Sequence, residues 1–311
     1  MSRMRNDFLE MTAGPPEDGL TVKQLLRGKL RFSMHQISRV KYRPEGITLN
    51  GDPCWVNAVL HAGDVLRIRL DDPESPDPAA DAAGAPAPNV SLPEIPVLWE
   101  DGWILIADKP AGTVSHPSHG HHGDSALDIL SAEYGRLYLI GRLDKDTSGV
   151  LLFAKQLETA SVLTRARKEG TVRKEYLARV RGYMDPPEGT IDVPIGTARE
   201  FPLKMKADPE SGKAALTRYR TAARGEDETG AEFSVLSVTI EHGRTHQIRV
   251  HMSSAGHPLE GDALYGGADP SGRFPGACLH ASSITLTHPW TGAEITARAA
   301  APRWCAGAAD A

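Results

Sequence analysis

The sequence predicts an α+β protein made of two folded units, and three observations support this prediction. Short apolar runs bounded by turn-forming residues, at 137–140 and 150–154, have the length of buried strands. Capping residues precede several apolar-periodic stretches, which are therefore predicted to be helices. A segment rich in proline, alanine and aspartate, residues 71–96, separates the first part of the chain from the rest and is predicted to be an extended linker.

The composition is that of a globular protein. The chain has 311 residues, of which 40% are hydrophobic and 24% are charged, enough for two domains with a sizeable core. The net charge of −5 does not by itself indicate a nucleic-acid partner. The three cysteines, Cys54, Cys278 and Cys305, are far apart and have neither metal-binding nor disulfide spacing, which favours a reducing cytoplasm. The polar start is not typical of a signal peptide, and no apolar run has membrane length.

The first 70 residues contain a basic module. Residues 1–19 are predicted to be a flexible tail. Residues 20–70 hold nine lysines and arginines but only three acidic residues. Thr21 is predicted to cap a helix that ends at Gly28, and a second helix is expected over Ser33–Lys41.

Two strands are predicted in the second half of this module, where the likeness to a known module is clearest, at Ile47–Asn50 and Ala62–Leu70. Two short helices followed by such strands resemble the small RNA-binding module named for a ribosomal small-subunit protein. The resemblance implies that the basic face contacts RNA phosphates, and the linker would let the module reach structured RNA. The alternative is a solvated basic face without a ligand.

A polar loop, Gly141–Gly149, lies between the two predicted strands at 137–140 and 150–154. One interpretation is a tight turn whose polar side chains bond their own backbone. The other makes Asp144 a nucleophile or base and Arg142 its electrostatic or substrate partner, because loops held by rigid strands often carry chemistry.

Other stretches of the second unit carry further candidate residues. Lys109 belongs to a Lys-Pro-Ala-Gly turn, where a structural role is favoured over a phosphate contact. A helix over Glu158–Glu169 precedes a strand at Lys174–Gly182 that contains Tyr176. The histidines that follow Lys109 lack the spacing of a metal site, so a loop is favoured and no metal is predicted; they are His116, His119, His121 and His122.

The last dense stretch is Gly243–His251, in which Thr245 is predicted to cap a helix over His246–Ser253. His246 and Arg249 would share one face of that helix. The sequence continues with Gly256–Asp262, then Tyr265, and a closing strand near residues 279–289.

These motifs, in this order, resemble those of the RluA-type RNA pseudouridine synthases over residues 97–303. The clearest are Arg-Leu-Asp-x-x-Thr-Ser-Gly from Arg142 and Gly-Arg-Thr-His-Gln-Ile-Arg-Val-His from Gly243. The resemblance implies a catalytic domain with a mixed, largely antiparallel sheet. Family members often have histidine before the first arginine, where this chain has Gly141.

The resemblance also implies a reaction and roles for four residues. Uridine within RNA would be isomerised to pseudouridine by Asp144, without cofactor or metal. Tyr176 would pack on the flipped base, Arg249 would hold Asp144 ionised, and Arg142 would fill the vacated space or clamp a phosphate. The RNA is expected to be ribosomal, from the large subunit, rather than transfer RNA, and no obligate protein partner is inferred.

Two alternatives remain open at this stage. One is a non-catalytic RNA-binding or ribosome-assembly factor. The other is a hydrolase that uses Asp144 together with Asp146. The predicted organisation is a tail at 1–19, an RNA-binding module at 20–70, a linker at 71–96, a catalytic domain at 97–303 and a loose tail at 304–311.

Overall fold

A computed structural model describes residues 5–72, 92–118, 123–198 and 204–305. It has the predicted α+β class, with a large mixed sheet and a separate small antiparallel sheet near the N-terminus. No helix in these ranges is long and apolar enough to cross a membrane.

The small sheet and two helices form the N-terminal module. The strands run in the order β1-β4-β2-β3, and every pair is antiparallel. The first helix begins at its predicted cap, Thr21, and the second begins after Ser33; each of these side chains accepts a hydrogen bond from the backbone three residues later. The elements are β1 Phe8–Thr12, α1 Val22–Gly28, α2 Met34–Lys41, β2 Ile47–Leu49, β3 Asp52–Pro53 and β4 Val65–Arg69.

The large sheet has ten strands, with the order β10-β13-β14-β9-β15-β8-β6-β5; β16 also pairs with β15, and β7 with β8. The β8–β15 pair is parallel and the other recorded pairs are antiparallel, as the largely antiparallel prediction requires. The strands are β5 Val97–Glu100, β6 Ile104–Lys109, β7 Tyr138–Leu139, β8 Ser148–Ala154, β9 Arg173–Arg181, β10 Glu188–Asp192, β13 Leu216–Glu226, β14 Glu232–Glu241, β15 Leu279–Thr287 and β16 Glu294–Arg298.

Three helices and a small two-stranded sheet accompany the large one. The helices are α3 Ala126–Tyr134, α4 Leu157–Lys168 and α5 Gln247–Ser254, and the small sheet pairs β11 Ile195–Thr197 with β12 Met205–Ala207. The central strand β8 is buried almost throughout, because it lies between β6 and β15. Strand β8 begins at the end of the loop that carries Asp144, so this buried strand positions the loop.

The N-terminal tail prediction is wrong for residues 8–18. Strand β1 pairs with β4 from Phe8↔Arg69 to Thr12↔Val65, and Leu9 is buried in the module core. The guanidinium of Arg67 lies 3.7 Å from the centre of the Phe8 ring. The tail was predicted from its polar composition, but pairing with a distant strand determines its structure.

The ends of the predicted linker and C-terminal tail are anchored in the chain. The Arg43 side chain lies 3.4 Å from Asp72, and Ile95 is buried in the core of the large unit. Near the C-terminus, the Trp304 carbonyl accepts a hydrogen bond from Arg179 at 3.1 Å. The remainder of both segments, residues 73–91 and 306–311, lies outside the described ranges.

The N-terminal module packs directly against α4 of the large unit, which corrects the prediction of a module that reaches out on its linker. Glu158, near the start of α4, is fully buried. Its carboxylate accepts two hydrogen bonds from Arg39, one from Arg43 and one from Gln36, at 2.8–3.0 Å. The Phe32 and Trp290 rings add an aromatic contact with centres 5.9 Å apart.

Much of the module's positive charge is therefore used inside the chain. Besides the two arginines bound to Glu158, three of the nine cations pair with acids that lie outside residues 20–70. These pairs are Lys29–Glu17, Arg31–Glu169 and Arg69–Asp71, at 2.9, 3.4 and 2.9 Å. Because these acidic partners lie outside residues 20–70, the excess of cations counted in that range is larger than the positive charge that remains available to RNA.

Candidate active site

The loop between β7 and β8 is fixed by a buried lysine. Lys109 has no exposed surface, and its ammonium donates to the carbonyls of Pro110, Thr113 and Lys145 at 2.7–3.0 Å. Burial lowers the pKa of Lys109 to about 8, against the opposing effect of Asp146 and Asp144. The structural role predicted for Lys109 matches these contacts, because the third carbonyl directly follows Asp144.

Further hydrogen bonds and one glycine hold the rest of this loop. The Ser115 hydroxyl donates to the Leu143 carbonyl at 2.7 Å and accepts from the Leu143 N–H at 3.0 Å. Gly149 has φ +105°, and a Cβ there would lie 2.1 Å from the Ala281 carbonyl oxygen. Only glycine permits this backbone angle and this close approach to β15. The backbone on either side of Asp144 is therefore fixed by the core.

Helix α5 brings a second charged group to Asp144. Arg249, which is 7% exposed, has one guanidinium nitrogen 3.5 Å from Asp144 Oδ2. Its other nitrogens form a two-bond pair with fully buried Asp262, at 2.7 and 2.8 Å. Burial is the largest single effect and disfavours the charged form of Arg249, but the hydrogen bonds to Asp262 together with the charges of Asp262 and Asp144 outweigh it and raise the pKa of Arg249. Asp262 thus fixes the guanidinium, which then faces Asp144 as a charged group.

The start of α5 differs from the prediction. His246, not Thr245, occupies the cap position, with a left-handed backbone angle of φ 54°. The Gln247 side chain accepts from the Arg244 N–H and donates to the carbonyls of Leu216 and Glu241, which fixes the turn before the helix. The prediction used the general preference for threonine caps, whereas these bonds to β13 and β14 determine the real boundary.

His246 and Tyr265 complete the group around Asp144. His246 Nε2 lies 3.9 Å from Asp144 Oδ2, and His246 Nδ1 is 2.8 Å from the Tyr265 hydroxyl. That hydroxyl also accepts a hydrogen bond from the Met205 N–H at 2.9 Å, which fixes its position beside the imidazole. Burial lowers the pKa of His246, which favours the neutral imidazole.

Tyr176 lies on β9 and is 8% exposed. Burial raises the pKa of its phenol, and the charge of Asp144 raises it further, so the hydroxyl stays protonated and Asp144 lies within electrostatic reach. Within the described part of the chain, no hydrogen bond to this hydroxyl is recorded. A tyrosine ring within electrostatic reach of a carboxylate is suited to contact a planar ligand.

Arg142 is exposed at the loop surface, and no hydrogen bond or ion pair of its side chain is recorded among the described residues. Asp144 has a side chain that is 28% exposed. Both of its recorded contacts involve Oδ2, so Oδ1 is free of partners within the described ranges. The structure therefore brings Asp144, Arg249 and Tyr176 into one neighbourhood and leaves Arg142 facing solvent.

Sequence reasoning assigned no role to Asp262, His246 or Tyr265. All three fall within motifs that the sequence makes visible, but only the tertiary contacts show that they surround Asp144 and Arg249. The other carboxylate of the loop, Asp146, packs against Gly276, where a Cβ would lie 2.8 Å from the Asp146 Cβ.

The candidate metal ligands are not assembled in the part of the chain that the structure describes. No group of three or more histidine, cysteine or acidic side chains there could hold a metal ion. His116 is exposed, and its Nδ1 lies 2.9 Å from the Pro117 carbonyl. His119, His121 and His122 lie outside the described residues. All three cysteines are free thiols.

Comparisons with known proteins agree with this fold. A family model described as RNA pseudouridylate synthase matches residues 104–254. The chain is 32% identical to the uncharacterized RNA pseudouridine synthase YjbO of Bacillus subtilis, over 91% of this chain and 96% of that protein. It is 35% identical to the dual-specificity RNA pseudouridine synthase RluA of Escherichia coli O6:H1, over 67% of this chain and 94% of that protein.

Two further similarities extend the comparison. The chain is 40% identical to the ribosomal large subunit pseudouridine synthase D of Nitrosomonas europaea, over 63% of this chain and 59% of that protein. The solved structure of human RNA pseudouridylate synthase domain containing 1 superposes with a TM-score of 0.57 and 27% identity, over 68% of this chain and 86% of that one.

The fold and these similarities are those of an RNA-modifying isomerase. The chain belongs to the RNA pseudouridine synthase family, in its RluA-type branch, and converts uridine in RNA to pseudouridine.

Proposed function

We propose that Asp144 is the catalytic residue of this isomerase and that its substrate is a uridine in large-subunit ribosomal RNA. The observation that carries the first part is the environment of the carboxylate. Oδ2 faces Arg249 at 3.5 Å, whereas Oδ1 is partner-free among the described residues and the side chain is partly exposed. A partly exposed carboxylate with one oxygen beside a guanidinium and the other oxygen open can act as a nucleophile or base.

In the reaction, the bond between N1 of uracil and C1′ of the ribose breaks, the base rotates, and C5 bonds to C1′. The proton on C5 is lost and N1 gains one, so atoms balance without a cofactor. Asp144 Oδ1 would attack C1′ or remove a proton from the sugar. The uridine must first leave its stack, at a cost of a few kcal/mol. We propose that the Tyr176 ring packs on the flipped base and that Arg142 occupies the vacated space or binds a flanking phosphate.

The choice of large-subunit ribosomal RNA is supported by similarity to proteins described as ribosomal large subunit pseudouridine synthase D. The N-terminal module would contribute RNA contacts through cations that its own fold leaves exposed, Lys23 and Arg27. The exposed rings of Tyr42 and Trp55 offer stacking surfaces for unpaired bases. The free cysteines fit action in the cytoplasm.

The test is pseudouridine mapping of total RNA from cells that lack the gene, complemented with the wild-type chain or with Asp144→Ala. We expect one or more ribosomal uridines to be modified only with the wild-type chain. If Asp144→Ala restores the same sites, Asp144 is not the catalytic residue. If the dependent sites lie in transfer RNA, the substrate proposal is wrong and the enzyme assignment stands.

A further inference from the structure

An exposed arginine of α4 lies beside the active site. Arg167 lies in the last turn of α4 and is exposed. In the described part of the chain its guanidinium has no recorded hydrogen bond or ion pair. By contrast, the side chain of Arg165, two residues earlier, donates to Gln36 at 2.8 Å and to the Arg31 carbonyl. The two arginines of this turn therefore differ, since one helps to hold the N-terminal module and the other is free.

The side chain of Arg167 runs across two glycines that belong to the two active-site loops. A Cβ on Gly141, the residue before Arg142, would lie 3.2 Å from Arg167 Cδ and 3.5 Å from Nε. A Cβ on Gly243, just before α5, would lie 3.8 Å from Nη1. Both glycines have positive φ, 84° and 56°. The guanidinium therefore lies between the loop of Asp144 and the turn that leads to Arg249.

Electrostatic effects agree with this position. Lys174, on β9, has a pKa lowered to about 7, mainly by burial and additionally by the charge of Arg167. Arg167 also counteracts part of the effect of burial and of Asp144 on the pKa of Tyr176. The charge of Arg167 thus acts on two side chains of β9, Lys174 and Tyr176.

The glycine at 141 explains how this arginine can lie there. A side chain at that position would meet the aliphatic part of Arg167 at 3.2 Å. Because Gly141 has no side chain, the side chain of Arg167 from α4 can lie over it. Arg167 would supply a cation at the entrance of the site, next to exposed Arg142.

We propose that Arg167 binds the RNA backbone phosphate adjacent to the target uridine. This inference rests on the proposed function, because it assumes that the strand enters over Asp144. A guanidinium without a partner among the described residues, beside the site where the target nucleotide would bind, is suited to a pair of phosphate oxygens, which it can bind with two parallel hydrogen bonds. The contact would form with substrate and transition state alike, so it should act on binding and not on the chemical step.

The experiment compares Arg167→Gln with Lys168→Gln in the full chain. Both variants remove one exposed positive charge from neighbouring positions, and neither residue is buried. The probe is large-subunit ribosomal RNA transcribed from genes of the same cells, with tritium at C5 of uridine, so that product formation releases tritium. We expect Arg167→Gln to raise KM about tenfold with kcat nearly unchanged, and Lys168→Gln to leave both near wild type. Arg167→Lys should restore part of the affinity.

A second readout is the salt dependence of RNA affinity. Loss of one phosphate contact should reduce the slope of log affinity against log salt by about 0.7–0.9 in Arg167→Gln only. The inference is overturned if the two variants have the same KM and slope, or if Arg167→Gln lowers kcat with KM unchanged. If the wild-type chain releases no tritium from this RNA or from transfer RNA, the proposed function itself fails.

Discussion

The contact between the N-terminal module and the large unit should depend on one buried carboxylate, Glu158. Its two oxygens accept four hydrogen bonds from Arg39, Arg43 and Gln36. Glu158→Gln keeps the shape but removes the charge and replaces one acceptor by an amide that itself donates. The Arg43 side chain, 5% exposed, would keep only Asp72, at 3.4 Å, as an acidic partner.

The expected loss follows from these contacts. Breaking a buried ion pair by removing one partner costs about 3–5 kcal/mol, because the remaining charge stays desolvated. An exposed pair costs at most about 1 kcal/mol. Arg218–Glu241 is such a pair, with side chains 53% and 52% exposed, and Glu241→Gln is therefore the matched control.

The measurement is urea unfolding of the full chain, followed by tryptophan fluorescence and by circular dichroism. We expect Glu158→Gln to lower the free energy of unfolding by about 3–5 kcal/mol and to separate the two probes, since the module would unfold before the large unit. A loss no larger than that of Glu241→Gln would refute the reasoning, and it would mean that apolar packing alone holds the module in place.

Three further predictions concern the active site. Asp262→Asn should lower kcat about a hundredfold in the tritium-release assay with little change in KM. The reason is that Arg249 loses its ion pair with Asp262 and shifts relative to the reacting carboxylate. A change confined to KM would contradict this. Burial lowers the pKa of Lys109 to about 8, so between pH 8 and 10.5 the unfolded chain binds more protons at this residue than the folded chain does. Over this pH range the free energy of unfolding should therefore rise by about 3 kcal/mol more in the wild-type chain than in Lys109→Met. Equal pH slopes in the two chains would exclude that cause. Gly149→Ala should destabilise the folded chain by about 3 kcal/mol or more in thermal unfolding, because its Cβ would meet the carbonyl oxygen of Ala281. The control is Gly272→Ala, which has open space around it and should cost only about 1 kcal/mol. Similar losses in the two variants would show that β15 can move away.

Local signals in the sequence were sufficient for several helices and strands and for the identity of the central loop. Thr21 begins a helix where the sequence predicts one, and the second predicted helix begins after Ser33. These signals work because a cap or a strand run acts on neighbours within a few residues. The same reasoning failed at Thr245, because hydrogen bonds from Gln247 to distant strands move the helix start.

The sequence by itself determined the α+β class, the likeness to a family, and Asp144, Arg142, Tyr176 and Arg249 as candidates, since motifs are local strings of residues. The tertiary structure alone decided which charges meet. It brings Asp262 and His246 to the group around Asp144, joins Glu158 to the arginines of the module, and places Arg167 over Gly141. Coulomb energy depends on the distance between charges and desolvation depends on their burial, and neither distance nor burial can be read directly from the order of residues.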